Sequence, residues 1–600
     1  MRLGAFGAAG LIFVGGVLAA APARQAPLAF TRTIAPFLVA DDAGRLFSVP
    51  FLGGLDVPRP QFADIDADGD LDLFLQEFRN EIWFFENAGT VSSPRYEWRT
   101  DRYQNLEVGE WYRFVDLDAD GDLDLLAEKP FSNILFFRNA GTKQAARFEP
   151  GGTLIDTDGL PIALDRQNIP AIVDLDCDNR LDLFIGRVEG LVIHYEAVAP
   201  DSLQFAFLTD HWEDIEIIGR VGTPGPSTRH GANALSFADF DADKDLDLFW
   251  GDFFEPGVLL IENNGATCSS PSFRTEPVPL PFADTRTSGY NAPVPVDLDF
   301  DGDLDFLMGV IGGANNPVTT ASDNLYHFER TAKDRFELRT RRFLNGIDLG
   351  SESVPAAGDL DADGDLDLIV GSKIVPPGDA GQLTIFRNVG TKTAPSLHQE
   401  APLTLMNAYH LAPTLGDLDN DGDLDLLVGT WNQGIRYFRN QGTAREAKFV
   451  EDAAAAITPP RASLVSPVLA DLDGDGDVDL LVGTATGAIV HYRNDATTKG
   501  ARFVLVTERL GDLSPGRRSR PAVADLTGDG LADLLVGRES GGMVLYRNAG
   551  TKSAPRFVED PAFALPLPPL STPLAIDLDG NGRVELLAGT VSGGLVMWRW

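Results

Sequence analysis

The chain has 600 residues, with 89 Asp and Glu against 49 Lys and Arg, and a formal net charge of −40. That balance, with no basic patch or Arg-rich run, argues against a nucleic-acid partner. Two cysteines are too few to frame a disulfide-built fold.

Residues 1–23 read as a secretory signal: Arg2 is the positive start, Leu11 to Ala21 the apolar stretch, and Ala21-Pro22-Ala23 a small-residue cleavage site. No later stretch approaches the ~18 apolar residues of a spanning helix. The mature chain, 24–600, is therefore expected to be secreted, periplasmic or at the cell surface, without an integral membrane segment.

From Asp64 onward a run of the form D-x-D-x-D-G-D-x-D-L recurs ten times, 52 to 65 residues apart. Acidic oxygens at alternate positions, with glycine where the chain turns, make a cage for a hard cation. The first five cages are Asp64, Asp66, Asp68, Asp70, Asp72; Asp116, Asp118, Asp120, Asp122, Asp124; Asp174, Asp176, Asp178, Asp182; Asp239, Asp241, Asp243, Asp245, Asp247; and Asp297, Asp299, Asp301, Asp303, Asp305. The second five are Asp359, Asp361, Asp363, Asp365, Asp367; Asp417, Asp419, Asp421, Asp423, Asp425; Asp471, Asp473, Asp475, Asp477, Asp479; Asp525, Thr527, Asp529, Asp533; and Asp577, Asp579, Asn581, Glu585. These loops hold 45 of the 89 acids, so the rest of the chain is near neutral.

Positions 1, 3 and 5 are expected to give side-chain oxygens and position 7 a backbone carbonyl, because Arg180, Leu531 and Arg583 occur there. Position 9 is always acidic and is the expected closing carboxylate. Position 6 is Gly in eight loops, as a positive φ demands, with Asn179 and Lys244 the exceptions. Up to ten calcium ions are expected. Seven loops are complete, although Lys244 weakens the fourth; loops 3, 9 and 10 are degraded. EF-hand and dockerin readings fail because no helices flank the loops.

Each loop sits in a common pattern: a proline four residues ahead in eight repeats, an alternating apolar run behind, and an N-x-G-T turn at Asn87, Asn139, Asn388, Asn440 and Asn548. Period-two patterning and Gly/Asn turns make four short strands per repeat, the size of a propeller blade. The expected fold is all-β: a β-propeller of ten four-stranded blades in one ring, closed when an N-terminal strand completes the last blade. Two smaller stacked rings are an alternative.

These motifs resemble the FG-GAP/VCBS repeat family, the calcium-loop propeller repeats also found in the integrin α-subunit head. The resemblance implies calcium at the loop positions named above and a secreted or surface adhesion or ligand-binding scaffold.

His194, His327 and His491 share a column with Phe84, Phe136 and Tyr437 and read as packing variants. No catalytic motif occurs, so no catalytic residue is assigned. Off-pattern residues before the first strands, Trp111 and Tyr112, Arg229 and His230, Tyr290 and Asn291, Tyr409 and His410, are the candidates for an extracellular protein or glycan partner. A calcium-dependent polysaccharide-degrading enzyme is the alternative function. Cys177 and Cys268 are equally compatible with one bridge or two thiols.

Overall fold

The computed structural model describes residues 28 and 30–600, apart from 78–79, 130–132, 166, 218–231, 281–285, 313–322, 333–334, 376–377, 379, 461–462 and 497–499. The signal segment, Arg229 and His230 therefore lie outside the described residues.

Ten antiparallel sheets follow one another along the chain, numbered 1 to 10 in chain order. Sheet 7 shows the plan: Ala412–Gly416, Asp425–Gly429, Ile435–Asn440 and Phe449–Glu451, each strand paired with the next. Its second strand, Asp-Leu-Leu-Val-Gly, is buried throughout because both faces are covered. Successive side chains point to opposite faces, so Leu426 and Val428 pack toward sheet 6 while Leu427 packs toward sheet 8. Sheets 3 and 6 gain a fifth, parallel strand, Ile155–Asp156 and Leu38–Ala40. Among the described residues helix is confined to short 3₁₀ turns such as Trp212–Asp214, and none is long and apolar enough to cross a membrane.

The expected completion of the last sheet is present: Thr31–Thr33 pairs antiparallel with Leu595–Arg599. The succession of sheets around one ring of ten is not. Leu73 and Leu75 of sheet 1 share a core with Leu307 and Leu325 of sheet 5. Leu368 and Val370 of sheet 6 share one with Leu587 and Leu595 of sheet 10. Shared cores thus join sheet 1 to sheet 5 and sheet 6 to sheet 10. Glycine permits this close approach. A Cβ at Gly309 would collide with the carbonyl of Pro58, and one at Gly589 with the carbonyl of Ser353.

Candidate metal centres

Each acidic run connects the first and second strands of its sheet. The loop is built from its own carboxylates. In the first, Asp64 accepts the amides of Asp68 and Gly69, both at 3.2 Å, and Asp68 accepts that of Asp70 at 3.1 Å. These bonds require two left-handed residues, at positions 4 and 6, and all ten loops have both: φ is 55° at Ala67 and 96° at Gly69. Position 6 was legible from its glycines. Position 4 was not, although Gly474, Gly528, Gly580 and Asn420 carry the signal.

Position 9 opens the second strand and is nearly fully buried. It ties the loop to the sheet: Asp124 accepts the amide of Leu117 at 3.2 Å through one oxygen and that of Asn139 through the other at 2.6 Å. Asn139 in turn accepts the amides of Gly141 and Arg147, which is why N-x-G-T recurs here. His194 and Tyr437, from the column expected to pack only, reach position 9 as well, at 2.7 Å from Asp182 and Asp425.

Several loop oxygens remain buried and without a partner among the described residues: Asp116, Asp118 and Asp122 Oδ1 in the second loop, Asp361 and Asp365 Oδ1 in the sixth, Asp419 and Asp423 Oδ1 in the seventh. The arginine preceding the turn asparagine holds the other oxygen of position 3, as Arg138 does at Asp118 (2.5 Å) and Arg387 at Asp361 (3.6 Å). That second-layer arginine was missed in the sequence, though R-N recurs at the strand ends. Burial, then neighbouring carboxylates, pushes Asp245, Asp365 and Asp423 up to about 6. Burial also outweighs the turn amide at Asp72, Asp247 and Asp305, pushing them up to about 7. Unpartnered buried carboxylate oxygens are costly, and a hard cation is what this all-oxygen donor set fits.

Among the described residues, ten groups of at least three metal-ligating side chains bring ligand atoms within 4.8 Å of one another, Asp64-Asp66-Asp68, Asp116-Asp118-Asp120 and Asp239-Asp241-Asp247 among them. The degraded third loop substitutes: Arg180 pairs with Asp178 and, at 2.6 Å, with Glu196, and Glu196 joins Asp176 and Asp178 in a group of its own. Thr527 Oγ1 is buried and unpartnered like the position-3 carboxylates it replaces. Cys177, at position 4 of the third loop, is bonded to Cys268 across 91 residues.

The candidate ligand residues are not brought to one surface. Trp111 and Tyr112 are 1 % exposed and Tyr290 is 3 % exposed; Trp111 and Tyr290 share one interior cluster, and Tyr112 packs between sheets 1 and 2. Buried Asn291 braces a turn, donating to Gly257 O at 3.1 Å. Continuous core behind these first strands claims these side chains. Tyr409 and His410 stand elsewhere, beside Trp431.

Residues 359–428, 417–482, 471–536 and 525–588 match the model of the FG-GAP-like repeat. The chain carries FG-GAP-like repeats, each matched copy running from one acidic loop to the second strand of the next sheet. It is also distantly similar to cartilage acidic protein 1, 25 % identical to that of Homo sapiens over 181 residues and 24 % to that of Xenopus tropicalis over 178. Both matches cover 28 % of this chain and 26 % of the relative, so the chain spans about a quarter of their length. Among solved structures, the V. cholerae biofilm matrix protein Bap1 aligns over 95 % of this chain and 91 % of its own, at 10 % identity and a TM-score of 0.20. A GH43_1 enzyme from Xanthomonas citri aligns over 41 % and 86 %, at 13 % and 0.27.

Proposed function

We propose that this chain is an extracellular calcium-binding β-propeller scaffold for a protein or glycan partner, with calcium holding the loops. The mature part, 24–600, is read as two five-bladed rings in tandem; the cores shared by sheets 1 and 5 and by sheets 6 and 10 support this. Export is supported by the leader-like N-terminus and the Cys177–Cys268 bridge.

The observation that carries the calcium reading is the set of buried loop carboxylate oxygens without a hydrogen-bond partner among the described residues. Like charges ~4 Å apart cost roughly 4 kcal/mol per pair at an effective dielectric of 20. A divalent ion reverses that sign. At free calcium about ten times Kd each site adds ~1.4 kcal/mol, so several sites together rival the ~5–15 kcal/mol stability of a domain. Thermal unfolding of the full chain in millimolar calcium and in excess EDTA tests it. A melt lowered by many degrees on chelation is expected; an unchanged melt would refute structural calcium.

A further inference from the structure

Glu352, His410 and Arg518 each lie three residues before the first-strand proline of sheets 6, 7 and 9, and each is left-handed, with φ of 50°, 58° and 53°. The shared geometry gathers them. The Glu352 carboxylate, 2 % exposed, faces Lys373 Nζ at 3.0 Å, His410 Nδ1 at 3.2 Å, Arg520 at 3.4 Å and Arg518 at 3.6 Å.

Three permanent cations thus converge on one carboxylate, in a chain whose net charge is −40. His410 adds no charge, because burial and then Arg520, Lys373 and Arg518 push it down to about 2. The neighbouring Asp56 is pushed up to about 7 by burial, so it offsets the surplus only in part near neutral pH. His410 is 3 % exposed, and its Nε2 and the Nε of Arg520 find no hydrogen-bond partner among the described residues. Over this cluster lies an aromatic surface. Trp431, 40 % exposed, stacks on His410 at 5.3 Å, and half-buried Tyr409 meets its edge at 6.2 Å. Lys373 Nζ sits 5.9 Å over the Tyr409 ring.

Resting on the scaffold reading above, we infer that this cluster is a binding site for an anionic sugar, its ring against Trp431 and Tyr409 and its acid group on Lys373 and Arg518. An exposed indole offers an apolar face to a sugar ring. Ammonium and guanidinium groups bind carboxylate or sulfate oxygens by charge-assisted hydrogen bonds. Uronate and sulfate ester share that chemistry.

Calorimetric titration of the full chain, in calcium, with tetragalacturonate, dextran sulfate and neutral dextran tests the site and separates the two sources. At least one anionic probe binds and dextran does not. Lys373→Gln, at a partly exposed position, and Trp431→Ala, at an exposed one, each weaken binding about tenfold or more, and Trp431→Ala leaves the melt nearly unchanged. Absence of binding to both anionic probes, or binding that neither variant alters, overturns the site. Calcium-dependent melting without sugar binding would leave the scaffold standing and remove this site. Sugar binding lost in both variants, with a melt indifferent to calcium, would do the reverse.

Discussion

Sheets 1 and 2 and sheets 6–10 solve the same packing problem with different residues. In sheets 6–10 the second strand always ends in glycine: Gly371, Gly429, Gly483, Gly537 and Gly589, each pressed against a backbone carbonyl of the neighbouring sheet. Sheets 3–5 keep glycine there, at Gly186, Gly251 and Gly309, but in sheets 1 and 2 that position is Gln76 and Glu128, both buried polar residues. Gln76 donates to the carbonyl of Gly109, and the Glu128 carboxylate accepts the amide of Glu110 at 2.5 Å, so side chains bridge what glycine brings into contact elsewhere. Sheets 1–5 also carry Arg113, half-buried and donating to Pro170 O at 3.0 Å and Leu235 O at 2.9 Å, and the disulfide. The FG-GAP-like matches, at 359–588, fall entirely within the regular half. In sheets 1 and 2 side-chain bridging yields the same architecture without the glycine.

The largest expected effect breaks the comparison at its tryptophans. Trp111→Ala removes a side chain from the core between sheets 2 and 3 and should cost about 3–5 kcal/mol. Trp431→Ala should change stability by only about 0.5 kcal/mol; denaturant unfolding of both variants reads the contrast. Replacing Cys177 and Cys268 by serine should cost about 2–5 kcal/mol, felt in sheets 1–5. Amide exchange resolved by region should show faster opening there and no change in sheets 6–10.

Gly429→Ala should cost about 1–3 kcal/mol through overpacking against Val465 O. Gln76→Ala instead leaves the Gly109 carbonyl without its donor, about 1 kcal/mol less favourable. A further effect concerns pH. Asp72, Asp247 and Asp305, raised to about 7 chiefly by burial, bind protons more tightly in the cation-free folded chain than in the unfolded one. Their favourable contribution is complete below about pH 4 and disappears as pH rises through about 7. In EDTA the chain should melt higher at pH 5 than at pH 8, and calcium should close that gap.

Much of the fold was legible because period-two strands and acidic loops repeat with local chemistry: Asp64 and Asn87 act within a few residues of themselves. What was not legible depends on contacts far along the chain. Nothing local tells that Gly309 meets Pro58 rather than sheet 6, or that Cys177 meets Cys268. Two of the off-pattern aromatics, Trp111 and Tyr290, are buried for a related reason. Trp111 and Tyr290 depart from the repeat because the core they fill departs from it, whereas Trp431, 40 % exposed, was passed over.

The central claim is that the acidic loops are calcium sites. Equilibrium dialysis of the full chain at millimolar free calcium counts them directly. Seven loops have an acid at every odd position, so about seven or more ions per chain are expected, and Asp361→Asn with Asp419→Asn should lower the count by about two. Binding of no more than one ion, or a count those substitutions leave unchanged, would contradict the account.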